Sequence, residues 1–359
     1  MWHLEKKTLT ELTTYADKLI PLIAKRINEH RGKGNEQAWC DYLLPPLGNH
    51  SYDEKLIREI LTAEPSRLFK LNSICLNEML RRCQSGTPQA GMRDYYYSER
   101  QLRTYLKAKG KRNKGRREQV VVDKYMRLFV FLDKIFDYGF IKGELAYQVA
   151  TMKRVNTCTY CNRLYTFTIG HDNEKGKKVS KVKPQFDHWY AHKQYPLLAL
   201  SFYNLIPSCS VCNSSVKGSV HYSLKTHIHP YMTQSCEPSF KFLPALIYDS
   251  GRKSERWSVI LKRDKNTRTD NTINALFLDR IYAEHGELEV KDIMDFAQKN
   301  NPTYLKALFS RVCEELEGNY TQVDVYRMMF GVEAETSKTL DRPFSKLKKD
   351  VLAGEGIKV

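Results

Sequence analysis

Two cysteine pairs, Cys158-Thr-Tyr-Cys161 and Cys209-Ser-Val-Cys212, constrain this chain more than any other feature. Two residues between thiolates let one tight turn offer two sulfurs to a tetrahedral ion, and two such pairs complete a four-sulfur site with no open position. A redox CxxC ordinarily occurs once, so the doubled motif points to structural Zn²⁺. The pairs lie farther apart than in a plain zinc ribbon, so a sub-structure must be inserted between them. The remaining five of nine cysteines (Cys40, Cys75, Cys83, Cys236 and Cys313) are scattered, as small core residues are.

An odd cysteine count with paired CxxC motifs suits a reducing compartment. No run of apolar residues is long enough for a membrane span, and the N-terminus lacks the apolar core of a signal peptide. A cytoplasmic protein with no membrane role is expected. Its formal net charge is +17, unevenly spread. Residues 1–150 carry 27 lysines and arginines against 18 acids, residues 151–235 carry 11 against 3, and the remainder balances at 20 against 20. The first two segments would attract a polyanion.

Length and pattern divide the chain into three regions, at 1–152, 153–235 and 236–359. The first reads as helical: Leu12, Tyr15, Leu19, Ile20 and Ile23 recur at three and four, as do Leu56, Ile57, Ile60 and Leu61. Further helices are expected near 66–83, 95–107 and 119–138, with Pro21, Pro45-Pro46 and Pro65 marking a kink or boundaries. Between 100 and 117 the chain is basic without an acid. Its centre holds Lys109, Lys111, Arg112, Lys114, Arg116 and Arg117 among two glycines and no apolar residue, a loop that is simply solvated, placed against phosphates, or a nuclear-import signal. Tyr95-Tyr96-Tyr97 lies just upstream, as half-buried helix residues or as a stack for unpaired bases.

The middle region changes character. β-prone runs at 164–169 and 179–186 flank the turn Gly170-His171-Asp172-Asn173-Glu174-Lys175-Gly176, predicting a hairpin. A helix is expected from near Cys209 through Lys217, ended by Gly218. Beyond 236, a strand at 257–261 precedes helices near 272–285, 288–299, 302–316 and 321–330.

Between the cysteine pairs stand Phe186-Asp187-His188-Trp189 at a strand end and Asn204-Leu205-Ile206-Pro207, while Asn213 follows Cys212 and Lys217-Gly218 closes the helix. Imidazole titrates near neutral pH, so His188 suits a general base for water. Asp187 and Asn213 offer the oxygen donors that a hard cation prefers. Over residues 155–220 the pattern resembles the HNH endonucleases. The resemblance implies a central zinc-bound ββα-metal core at 153–235, which with the helical flanks read from periodicity makes an α+β, mainly helical chain. It also implies hydrolysis of phosphodiesters, with His188 as base, Mg²⁺ or Mn²⁺ on Asp187 and Asn213, and Asn204 bracing the loop that orients His188. Asn213 stands where some members have His.

His192 and Lys217 are further candidates for phosphate contact, and the lysines of the 175–183 hairpin would favour a polyanion there. His221, His227 and His229 are expected in a packed turn over the core, with a second metal site as the alternative. The family's habit favours DNA, although the same chemistry serves RNA, for example transfer RNA. A catalytically inactive zinc-knuckle binding module is the other reading. The overall layout, with Pro343-Phe344-Ser345-Lys346-Leu347 near the end, is similar to bacterial HNH proteins encoded beside an ATPase in anti-phage systems. That similarity implies host defence and an ATPase partner protein.

Overall fold

The computed structural model describes residues 2–34, 36–49, 51–82, 116–174, 176–218, 220–232, 239–251, 253–315 and 320–357, with the backbone alone at 116–125, 302 and 313. The three tyrosines at 95–97, the helix expected at 95–107, and Lys109, Lys111, Arg112 and Lys114 lie outside the described residues. So do the side chains of Arg116, Arg117 and Cys313, and all of Cys83 and Cys236.

The chain forms two compact units, Lys7–Ile141 with His192–Leu205, and Met1–Lys6 with Lys142–Ala191 and Ile206–Val359. The first contains α1 (Leu9–His30), α2 (Glu36–Leu43), α3 (Lys55–Thr62), α4 (Pro65–Arg82) and α5 (Arg116–Ile135), with β1 (Pro46–Gly48) paired to β2 (Ser51–Tyr52). Thr8 and Glu11 start α1 with a reciprocal capping box, each side chain accepting the other's backbone N–H. The apolar stripe read from the sequence is the buried one: Leu12, Tyr15, Leu19, Ile20 and Ile23 all face inward. The helix continues through Pro21, while Pro65 opens α4. Cys40 and Cys75 are fully buried, as small core residues.

Residues His192–Leu205 complete this first core. Leu197, Leu198, Ala199, Leu200 and Phe202 are wholly buried. Tyr15 Oη donates to Leu200 O (2.7 Å), Ser201 Oγ donates to Ile60 O (2.6 Å), and Tyr203 Oη accepts from Lys7 N (3.1 Å). Part of the segment between the cysteine pairs therefore belongs to the helical unit, because so apolar a run needs a helical core to cover it.

The second unit begins with α6 (Gly143–Lys153), followed by the hairpin of β3 (Ile169–Asp172) and β4 (Lys178–Val182). Then come β5 (Gln185–His188), its partner β6 (Leu205–Ser208), and a π-helical stretch, Val211–Lys217, packed on β5. The expected hairpin is present, but its first strand lies later in the chain. The β-prone run at 164–168 instead pairs back on the first cysteine turn, through a Thr157–Tyr165 bridge. The helix expected from Cys209 is present as the π-helical stretch, and Gly218 ends it at φ +49°.

Downstream, β7 (Phe240–Asp249) and β8 (Ser254–Arg263) form a long antiparallel hairpin, from Phe240 opposite Arg263 to Asp249 opposite Ser254. Only the middle of β8 was legible in the sequence. Helices α7 (Arg268–Ala275), α8 (Leu278–Ala283), α9 (Lys291–Lys299), α10 (Pro302–Glu315), α11 (Gln322–Phe330) and α12 (Ser345–Gly354) follow. A Cβ on Gly286 would fall 2.2 Å from Trp257 O, so glycine is required where the π-helical Gly286–Val290 meets β8. Residues 236–359, delimited as a separate region by sequence, thus share one compact unit with the cysteine pairs. No helix among the described residues is long and apolar enough to cross a membrane.

Candidate metal centre and the acid-histidine pair

The four cysteines converge. Cys158, Cys161, Cys209 and Cys212 are all buried, and their sulfurs lie within 4.8 Å of one another. A tetrahedral ion with zinc–sulfur bonds of about 2.3 Å sets its sulfurs roughly 3.8 Å apart, so the cluster can hold zinc. The turns have the form that spacing predicts. Asn162 N donates to Cys158 O (2.8 Å) in the first turn, and Asn213 N donates to Cys209 O (3.0 Å) in the second. Cys212 N also points at Cys209 Sγ, 3.4 Å away. Burial pushes the Cys158 thiol well up, whereas its hydrogen bond to Cys161 holds that neighbour's thiol down. Among the described residues, no other group of three or more His, Cys, Asp or Glu side chains is placed to hold an ion.

The C-terminal segment fastens the first turn. Asn162, at φ +49°, donates through Nδ2 to Thr157 Oγ1 (2.9 Å), Thr339 O (2.9 Å) and Arg342 O (3.0 Å). Phe344 N donates back to Asn162 O (2.7 Å), and Thr157 Oγ1 donates to Leu340 O (2.8 Å). Residues 339–344, which include the start of the Pro343-Phe344-Ser345-Lys346-Leu347 segment, are thereby part of the knuckle's framework.

Asp187 and His188 end β5, and the knuckle reaches them directly. Tyr160, between Cys158 and Cys161, is fully buried and its hydroxyl donates to Asp187 Oδ2. Burial, with the carboxylate beside it, pushes the Tyr160 phenol well above its ordinary value, so it remains a donor. Lys217 takes the other side. Its Nζ lies 3.0 Å from Asp187 Oδ2 and 3.1 Å from Oδ1, and it donates to His188 O at 2.8 Å. Both side chains are nearly inaccessible, at 1% and 5% exposure. Lys217, expected at a phosphate, is instead buried against this carboxylate.

Asn213, partly exposed on the π-helical stretch, donates through Nδ2 to Gln185 Oε1 at 2.9 Å. Gln185 stands on β5 with Asp187, so strand and helix are tied at both ends of the candidate site. Trp189, Tyr222, His227 and His229 form a ring cluster that meets Lys217. The Trp189 ring lies 4.6 Å from His229 and 5.6 Å from Tyr222, and the Tyr222 and His227 rings stack at 4.3 Å. The Lys217 ammonium sits 5.0 Å above the Tyr222 ring. Burial, with His221 and Lys217 nearby, pushes His227 down to about 4. His229 Nδ1 accepts the N–H of Tyr231. His227 and His229 are therefore packed, as the turn reading expected.

Two candidates lie in the other unit. Asn204 is fully buried, where its Nδ2 donates to Leu198 O (3.0 Å) and its backbone N–H to Ser201 O, bracing the 198–204 turn. His192 Nε2 lies 2.8 Å from Asp133 Oδ1 on α5. Sequence reasoning missed Tyr160, Gln185 and the role of Lys217. Of these, only Tyr160 carried a signal, its position inside a CxxC turn. In comparisons with known proteins, no family model, no curated protein and no solved structure matches the chain.

Proposed function

We propose that this chain is a metal-dependent nuclease of the HNH type that hydrolyses phosphodiester bonds, with DNA as the favoured substrate and RNA the alternative. The observation that supports it most is the linkage around Asp187 and His188. Tyr160 joins that pair to the four-cysteine cluster, and Gln185 joins it to Asn213. Zinc on Cys158, Cys161, Cys209 and Cys212 is structural in this reading, clamping the β5–β6 pair to the π-helical stretch.

His188 takes the proton from the attacking water as neutral imidazole, freeing the oxygen to add to phosphorus as the P–O bond to the leaving group breaks. Asp187 and Asn213 would hold Mg²⁺ or Mn²⁺, which when bound supplies positive charge to the phosphate and the leaving oxygen. A carboxylate and an amide oxygen are the donors that such a hard ion prefers. Asn213 gives its nitrogen to Gln185, so Oδ1 is the atom it offers. Tyr160 fixes the Asp187 carboxylate through its hydrogen bond to Oδ2. Lys217 neutralises that carboxylate and holds the main chain of His188. Asn204 braces the returning chain at 198–204.

A second reading, an inactive zinc-knuckle module that binds nucleic acid, draws support from one observation. Asp187 is already paired with a buried ammonium. Titrating Mn²⁺ into the zinc-loaded chain by calorimetry separates the two readings. The nuclease reading expects a further metal site that Asn213→Ala weakens roughly tenfold or more, the usual scale for losing one coordinating or orienting group. No Mn²⁺ binding by a folded, zinc-loaded chain would favour the binding module.

A further inference from the structure

The chain leaves the first cysteine turn along an extended segment whose side chains alternate. Thr166 is 7% exposed, whereas Tyr165, Phe167 and Ile169 are 52%, 45% and 51% exposed. Two backbone hydrogen bonds anchor the segment to the knuckle, from Cys158 N to Leu164 O (3.0 Å) and from Thr166 N to Asn156 O (2.7 Å). The Tyr165 and Phe167 rings stack nearly parallel, with centroids 4.6 Å apart and an interplanar angle of 19°. Gly170 shows which side of the following hairpin faces inward. A Cβ there would lie 2.5 Å from the Tyr147 ring of α6. Residue 169 points away from that helix, and its cross-strand partner Val182 is 48% exposed. The aromatic pair thus continues the outer face of a surface hairpin.

The sequence of this segment and hairpin carries one sign of charge in excess. Between 163 and 183 the chain carries Arg163 and five lysines against only Asp172 and Glu174. Lys181 of β4 is exposed at the bulge opposite Ile169, while Lys178 stands opposite Asp172 on the Gly170 side and Lys177 is paired with Glu144 at 3.1 Å. An exposed apolar protein interface has no need of such a surplus, whereas a phosphate backbone does. Aromatic faces bind bases of any sequence because every base has a π-face, and duplex bases keep theirs inside the stack.

We propose that Tyr165 and Phe167 are a stacking platform for unpaired bases of a single-stranded nucleic acid, with Lys181 on the same hairpin meeting its phosphates. The proposal deepens the nuclease reading, on which it rests for the meaning of the neighbouring site. Only Lys183 and Pro184 separate β4 from β5. At about 3.3 Å per residue, Val182 and Asp187 are within roughly 17 Å, a reach of a few nucleotides. The platform would select a strand with unpaired bases next to the bond presented to His188.

Fluorescence anisotropy tests this on the full zinc-loaded chain, in a His188→Ala background so that the probe is not consumed. The probes are a short labelled DNA strand of mixed sequence, the same strand annealed to its complement, and the matching RNA strand. Tyr165→Ala/Phe167→Ala should weaken single-strand binding about tenfold or more while changing duplex binding little. Tyr165→Phe/Phe167→Tyr, which keeps both rings, should bind as the parent does. Unchanged single-strand affinity in the alanine variant would overturn the platform, as would equal losses for strand and duplex. So would a parent chain that binds no single strand, or a substitution that alters self-association instead of strand binding. The nuclease reading fails separately: a chain that binds strands through these rings but cleaves nothing retains the platform and loses the nuclease.

Discussion

Lys217 shows how much one side chain's setting can change its meaning. A basic residue just before a helix-ending glycine reads naturally as a surface cation. Its ammonium instead bridges Asp187 and the main chain of His188, at 1% exposure. Removing one member of a buried ion pair leaves the other charge uncompensated, typically costing about 3–5 kcal/mol. Lys217→Ala is therefore expected to lower stability by about that amount, read as a fall in the urea midpoint at constant slope. A loss under about 1 kcal/mol, the level of an exposed pair, would show that the pair is not a buried one. That Asp187 and His188 end a strand, and that Asn213 lies on a helical stretch after the second cysteine pair, was legible from the order of residues along the chain. The pairing of Asp187 with Lys217 and Tyr160 was not, because it depends on which side chains meet across a strand and a helix.

At the scale of elements, the cysteine turns organise more than themselves. The first turn receives the β-prone run after it, the Thr339–Phe344 backbone through Asn162 and Thr157, and the Tyr282 hydroxyl on Cys161 O. Four buried sulfurs within 4.8 Å are held together most simply by an ion, since burial disfavours free thiolates. Metal analysis of the purified chain should therefore find one zinc per chain. Its removal by a strong chelator should lower the melting temperature and loosen 339–344, seen as faster amide hydrogen exchange there. Equal exchange in the two forms would contradict the clamp. Helices with a regular apolar stripe, such as α1, α3 and α4, were legible because their periodicity is local. Helix α2, strand β7 and the shift of β3 were not. The run at 164–168 has strand character, and only the nearby turn at 156–158 determines that it pairs there rather than within the hairpin.

Over the whole molecule, three regions read from composition became two compact units. Charge balance marked 236–359 as different, yet its backbone is hydrogen-bonded into the cysteine turn. The apolar stretch at 197–202 joined the helical unit because its side chains require a large core. The positive excess lies on residues 1–235, so a polyanionic partner is expected to engage that part of the sequence. Under the proposed function such a partner is cut. The most direct measurement incubates the zinc-loaded chain with labelled plasmid, single-stranded DNA and total RNA, in Mg²⁺ or Mn²⁺, beside the His188→Ala variant. Cleavage is expected to require the divalent ion and to fall at least about a hundredfold in the variant, the low end for loss of a general base. Cleavage that His188→Ala leaves untouched, or no cleavage of any substrate by a folded and zinc-loaded chain, would contradict the proposed function.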